Sequence, residues 1–296
     1  MPDERLAGLR PGRDTTGQAT RPVAPSPVWR PFCSPERLAE VPSTNLALAE
    51  RAKEGAPEGT VLLAESQSAG RGRLGRRWLD PPGGSILCSL LFRPRLPLEE
   101  WFLAPMAVSL AARAACEQVA GAETACKWPN DLVSLPDGLK LAGVLAETVG
   151  ETPGSAPRAL VVGIGLNCNW PADFPPAGLE GDELATRATS LDRLTGRPVD
   201  KSALEAALLS EVARRWHPLA EAGLAPGKAA LLSEYRAACA TLGQQVRVEL
   251  PTGAVEGEAL AIEEDGRLRV ATEVGEATFG VGDVVHLRPK GAPPGR

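Results

Sequence analysis

The sequence predicts an α+β domain followed by a small β-barrel. Two observations carry that expectation: strands and helices alternate irregularly over most of the chain without a repeated βαβ unit, and the last stretch of about fifty residues switches to short strands separated by Gly or Asp turns. Taken in order, residues 1–32 read as a disordered Pro/Arg-rich tail with no apolar period to offset its ordering entropy. Asn45 to Lys53 has helical spacing, with Ser43 and Thr44 ahead of it as candidate caps. Thr60 to Glu65 and Ser85 to Phe92 are apolar enough for buried strands. Leu98 to Val119 reads as a long helix, with Pro105 placed to break or kink it. Strands are expected at Thr124 to Trp128, Leu141 to Thr148 and Ala159 to Leu166, and helices at Lys201 to Ala222 and Pro226 to Thr241. The barrel strands would be Gln245 to Leu250, Val255 to Ile262, Leu268 to Thr272, Ala277 to Val281 and Val284 to Leu287. The resulting division is 1–32 tail, 33–241 larger domain, 242–290 barrel and 291–296 a second short tail.

Composition narrows the function classes. Hydrophobic residues at 43% and charged residues at 23% are ordinary for a globular chain. A formal net charge of -5 argues against a broad nucleic-acid footprint. No run approaches the ~18–20 apolar residues that cross a bilayer, and the N-terminus has no hydrophobic signal core; a cytoplasmic protein is expected, with no membrane partner. The six cysteines contain no C-x-x-C pair and only His217 and His286 could join them, so they read as buried thiols rather than a zinc site. Two histidines also make a Ser-His or Cys-His nucleophile improbable. Catalysis should instead rest on positioning and fixed positive charge.

Three stretches carry chemistry. Glu65 to Trp78, ESQSAGRGRLGRRW, interleaves Gly70, Gly72 and Gly75 with Arg71, Arg73, Arg76 and Arg77. Glycines let the backbone approach a ligand, and guanidinium forks suit carboxylate and phosphate oxygens. The loop is therefore either an anion-binding segment that orders with its ligand, or a solvated basic turn or nucleic-acid contact; it is not a P-loop. Lys127 to Asp131, KWPND, precedes Lys140 to Gly143, KLAG. Pro129 fixes a dihedral next to Asn130 and Asp131, an amide and a carboxylate that can read a purine edge and hold magnesium; the alternative is a plain Pro-Asn-Asp turn. Val161 to Asn167, VVGIGLN, places two glycines in an apolar strand, a mark of close approach by a ligand or backbone.

Together and in this order, these motifs resemble the biotin–protein ligase family, over roughly Leu38 to Leu287. The Ser43–Thr44–Asn45 triplet, Gln67, the GRGRxGRxW loop of residues 70–78, KWPND, KLAG and the G-x-G-x-N run all match. The resemblance implies a class II synthetase-like catalytic domain with a mixed sheet, and an SH3-like C-terminal barrel. It implies that ATP activates biotin to biotinyl-5′-adenylate, with Mg²⁺, and that biotin passes to a lysine of a biotin carboxyl carrier domain of acetyl-CoA or another biotin-dependent carboxylase. By match, Ser43, Thr44, Asn45, Gln67, Arg71, Gly72, Arg73, Trp78, Lys140 and Gly143 would contact biotin. Arg71, Arg73, Arg76, Asn130, Asp131, Lys140 and Asn167 would face ATP, Asp131 would hold the metal, and Arg73 and Lys140 would be catalytic. The winged-helix repressor head of some members has no counterpart here, so no DNA partner is expected. No aromatic stands in Arg187 to Leu191, where some members cover the adenine. The alternatives are a lipoate or octanoate ligase or transferase of the same fold, and a non-catalytic biotin-sensing or nucleic-acid-binding protein.

Overall fold

The computed structural model describes residues 32, 34–150, 158–175, 187–221, 224–250, 252–280 and 283–286. Its larger unit is a seven-stranded mixed sheet of order β1-β2-β3-β7-β6-β5-β4. The strands are β1 (Glu36–Val41), β2 (Val61–Gln67), β3 (Ser85–Phe92), β4 (Thr124–Lys127), β5 (Asp131–Ser134), β6 (Lys140–Val149) and β7 (Ala159–Asn167). Only β1 runs parallel to its neighbour β2; the other pairs are antiparallel.

Both faces of the sheet are covered, which is why β3 reads SILCSLLF with no polar alternation and is buried at every position. On one face α1 (Thr44–Lys53) places Leu48 and Ala52 against Leu62, Leu91, Val149 and Val161. On the other lie α2 (Leu103–Ala120), α4 (Lys201–Glu221) and α5 (Leu224–Ala238), with α3 (Leu191–Thr195) as a short turn before α4. Ala104, Ala107, Ala111, Ala112 and Ala115 are buried along α2, and their small side chains let its backbone come close to its neighbours. Alternate residues of each strand feed the two layers: Leu63, Leu90 and Val162 join the α2 side, and Leu62, Leu91 and Val161 the α1 side.

The second unit is an antiparallel sheet of order β11-β10-β9-β8-β12, built from β8 (Gln245–Leu250), β9 (Gly253–Ile262), β10 (Leu268–Thr272), β11 (Gly275–Phe279) and β12 (Asp283–His286). This is the expected SH3-like unit, and among the described residues no ladder joins its edge strands β11 and β12. Its apolar side, Val246, Val248, Ala259, Ile262, Leu268 and Val270, is continuous with the α2-side core.

Several expectations need correction. Two strands, β1 and β5, and helix α3 were missed: β1 is an edge strand with a mostly exposed pattern, and β5 and α3 are only four and five residues long, too short for a periodic signal. Pro105 does not kink α2. The helix starts at Leu103 after a separate 3-10 turn at Leu98–Glu100, so the proline sits in the first turn, where no amide hydrogen bond is lost. Phe32, assigned to the tail, is buried with its ring 5.1 Å from that of Phe92, because an aromatic beside the sheet gains more by burial than by solvation. The rest of the expected N-terminal tail, and the one at 291–296, lie outside the described residues.

Candidate active site

The candidate site lies on the α1 side of the sheet, beside that helix. On that face, direct cross-strand neighbours of β3 and β7 run Leu91–Val161, Ser89–Gly163, Leu87–Gly165 and Ser85–Asn167, and Gly165 in turn lies beside Gly143 of β6. Beyond Val161 the face turns to glycine and small polar groups, with Leu87 the one apolar side chain among these pairs. The missing Cβ atoms are used: one on Gly163 would lie 2.1 Å from Asn45 Oδ1, and one on Gly165 2.4 Å from Cε2 of Trp78. One on Gly143 would lie 3.1 Å from Trp78 Cζ3. The Trp78 indole thus lies across two adjacent glycines, the physical reason for the G-x-G and KLAG spacing.

At the α1 end a cluster of neutral groups is buried or half-buried, with one carboxylate, Glu147, beside it. Ser43 occupies the N-cap position, yet its hydroxyl makes no capping bond and the helix begins one residue earlier than expected, at Thr44. Gln67 takes over the cap: its Oε1 accepts from Thr44 N–H at 2.8 Å and lies 3.1 Å from Thr44 Oγ1. Asn45 donates to Leu145 O at 3.1 Å and Glu147 Oε2 at 2.9 Å. Ser89 Oγ lies 2.6 Å from Asn45 Oδ1 and 2.8 Å from Thr44 Oγ1. Ser89 and Glu147 were not singled out from the sequence. Ser89 is a lone polar residue inside an apolar strand, and that was the available signal.

The loop of residues 70–78 closes on itself like a hairpin: Trp78 N donates to Gly70 O at 3.0 Å, Gly72 N to Arg76 O at 2.7 Å, and Arg71 pairs with Arg77. Leu74, at φ 55°, sits at its exposed tip. Arg71 reaches back to Glu147 Oε1 at 3.0 Å, and Arg73 Nη1 donates to Asn130 Oδ1 at 3.2 Å. Arg76 is exposed.

At the opposite end the groups are charged. KWPND is the turn between β4 and β5, with a cis peptide at Trp128–Pro129. Asn130 is held by Nδ2 donating to Val144 O at 3.0 Å. Asp131 Oδ1 lies 2.7 Å from Lys140 Nζ, both partly exposed. Lys140 Nζ is also 5.8 Å from the Trp78 ring centroid. Asn167 donates to Thr189 O at 2.8 Å, and Thr189 N donates to Lys140 O. Its Oδ1 is buried without a partner, an acceptor available to a ligand or water. The KWPND turn is braced from the second unit: Trp128 Nε1 donates to Gly266 O, and Trp128 N to Thr241 Oγ1, both at 3.0 Å. His286 Nε2 lies 3.2 Å from the same Thr241 oxygen, and burial pulls this imidazole down to about 4, helped by nearby Lys127.

The structure thus brings Thr44, Asn45, Gln67, Arg71, Arg73, Trp78, Asn130, Asp131, Lys140, Gly143 and Asn167 to one face through a connected set of contacts. Known proteins give the same outline. Residues 37–167 match the Biotin/lipoate A/B protein ligase family and 241–287 the biotin protein ligase C terminal domain. The chain is 36% identical to the biotin--[acetyl-CoA-carboxylase] ligase of Mycobacterium tuberculosis, over 95% of this chain and 98% of that one. It is 35% identical to the bifunctional ligase/repressor BirA of Bacillus subtilis, over 79% of this chain and 68% of the relative. Among solved structures, the biotin protein ligase of Aquifex aeolicus in complex with biotin and ATP superposes with a TM-score of 0.70 at 28% identity, covering 87% of this chain and 100% of that one. By sequence, fold and site, the chain belongs to the biotin protein ligase family.

Proposed function

We propose that the chain activates biotin with ATP to biotinyl-5′-adenylate and then transfers biotin to a lysine of a biotin carboxyl carrier domain. The observation that carries this reading is the polarity of one continuous site. A neutral buried cluster (Thr44, Asn45, Gln67, Ser89) suits a ureido ring, which offers N–H donors and a carbonyl acceptor. The charged edge (Arg73, Lys140, Asp131) suits a carboxylate meeting a triphosphate. A lipoyl or octanoyl chain has no use for the neutral cluster.

The carboxylate oxygen attacks the α-phosphorus and pyrophosphate leaves; two anions must approach, so fixed cations lower the barrier. Lys140 and Arg73 take that role in our reading, with Arg76, Asn130 and Asn167 towards the nucleotide and Ser43, Arg71, Gly72, Trp78 and Gly143 around biotin. In the second step the carrier lysine attacks the mixed anhydride and AMP departs. The donor set fits a magnesium ion that arrives with the phosphates. Asp131 offers one hard oxygen ligand, and no group of three His, Cys, Asp or Glu side chains that could cage an ion stands among the described residues. Such an ion would offset triphosphate charge.

The five described cysteines are buried and unpaired, which supports a reducing, cytoplasmic setting. No described helix is long and apolar enough to cross a membrane. The net charge of -5 supports a protein acceptor rather than DNA. The test is pyrophosphate exchange into ATP with each acid in turn. Exchange is expected with biotin and not with lipoate or octanoate; the reverse pattern overturns the assignment.

A further inference from the structure

Glu147 lies on β6, four residues beyond KLAG, in no motif that pointed to chemistry. Its side chain is 28% exposed, and its two oxygens go to different parts of the site. Oε2 accepts from Asn45 Nδ2 at 2.9 Å and Oε1 faces Arg71 Nη1 at 3.0 Å. Asn45 is nearly fully buried and fixed on three sides, by Ser89, by Leu145 O and by the bare face of Gly163. Glu147 is therefore anchored at one oxygen by a rigid group. The other oxygen adds a tether at Arg71 to a loop that Arg73 ties to Asn130 and Trp78 lays across Gly143 and Gly165.

We infer that Glu147 is a positioning residue which, through its bridge between Arg71 and Asn45, holds the glycine–arginine loop down over the neutral end of the site and so sets the affinity for the acid substrate. This rests on the biotin-activating reading given above. Four arginines in seven residues place like charges close together in this loop. One carboxylate on the sheet offsets part of that repulsion and selects the down position before substrate arrives, so less ordering free energy is spent on binding. The pairing also divides labour among the arginines: the Arg71 guanidinium is directed to a protein carboxylate, whereas Arg73 lies towards Asn130 at the charged edge.

The test uses Glu147→Gln, Arg71→Gln and the double variant in the full chain. Because the pair is partly exposed, the expected effect is modest: the KM for biotin in pyrophosphate exchange rises about fivefold, equivalent to roughly 1 kcal/mol. The maximal rate should fall less than the affinity. The double variant should be no worse than either single one, since both remove the same contact. Without substrate, trypsin should cut the loop at residues 71–77 several-fold faster in Glu147→Gln, with the thermal midpoint little changed. Additive effects, or unaltered KM and cleavage, overturn the proposal. The cleavage assay contains no biotin or ATP, so it reports on the latch even if biotin proves not to be the substrate. Glu147→Asp retains the charge on a shorter stem, and partial recovery of KM is expected.

Discussion

The two ends of the site solve opposite problems. At the α1 end Thr44, Asn45, Gln67 and Ser89 are neutral and satisfy one another, so a ligand meets groups already held in place. At the other end Asp131 and Lys140 are charged, partly exposed and spend their charge on each other. Phosphate oxygens must compete with that ion pair before the lysine can act. In the proposed function the neutral end serves affinity, and the charged end a change of partners during reaction.

The largest test of that contrast is Lys140→Gln. Losing one preorganised cation should slow adenylation by roughly 10²–10³, while preformed adenylate should restore much of the carrier labelling. Single-turnover measurement of both half-reactions separates the steps, and wild-type rates in both would reduce Lys140 to the solvated partner of Asp131.

Ser89→Ala tests the other end and should act mainly on affinity. It leaves Asn45 Oδ1 buried without its donor, at a cost of about 1–2 kcal/mol, so the biotin KM should rise roughly tenfold with a smaller change in maximal rate. A loss confined to the rate would merge the two ends into one functional unit.

The smallest expected effect concerns the brace behind the charged end. His286 is held neutral in the folded chain, down at about 4 against an ordinary 6.5. Its contribution is fully present above pH 6.5 and is lost as pH falls from there towards 4. Partial exposure screens it, so we expect the fall in thermal midpoint from pH 7 to pH 5 to be only about 2 °C larger in the wild type than in His286→Gln. Equal pH dependence would detach the histidine from the stability of this brace.

The same contrast explains what the sequence made legible. The Gly-Arg loop, KWPND, KLAG and VVGIGLN announce themselves because glycines and charges interrupt apolar patterns, and the contacts of Trp78 with Gly143 and Gly165 explain the interruption. The switch to a second, antiparallel sheet at Gln245 was legible from the change of period. Glu147 and Ser89 were not, because a single polar residue in a strand gains meaning only from register: Ser89 matters because Gly163 stands opposite, and Glu147 because Asn45 and Arg71 reach it from distant positions. The cap of α1 misled for a similar reason, since its partner, Gln67, lies 23 residues further along.

The brace also bears on synthesis. A growing chain completes β4, the KWPND turn and β5 long before it makes the partner of the Trp128 indole, the Gly266 carbonyl 138 residues later. Until the C-terminal strands emerge, that indole is left without its native acceptor, and the apolar side later covered by β8–β10 stays open. Vectorial translation therefore delivers the KWPND turn early and completes it last, so a ribosome-stalled chain ending before Gly266 should expose Trp128 to water and to chaperones.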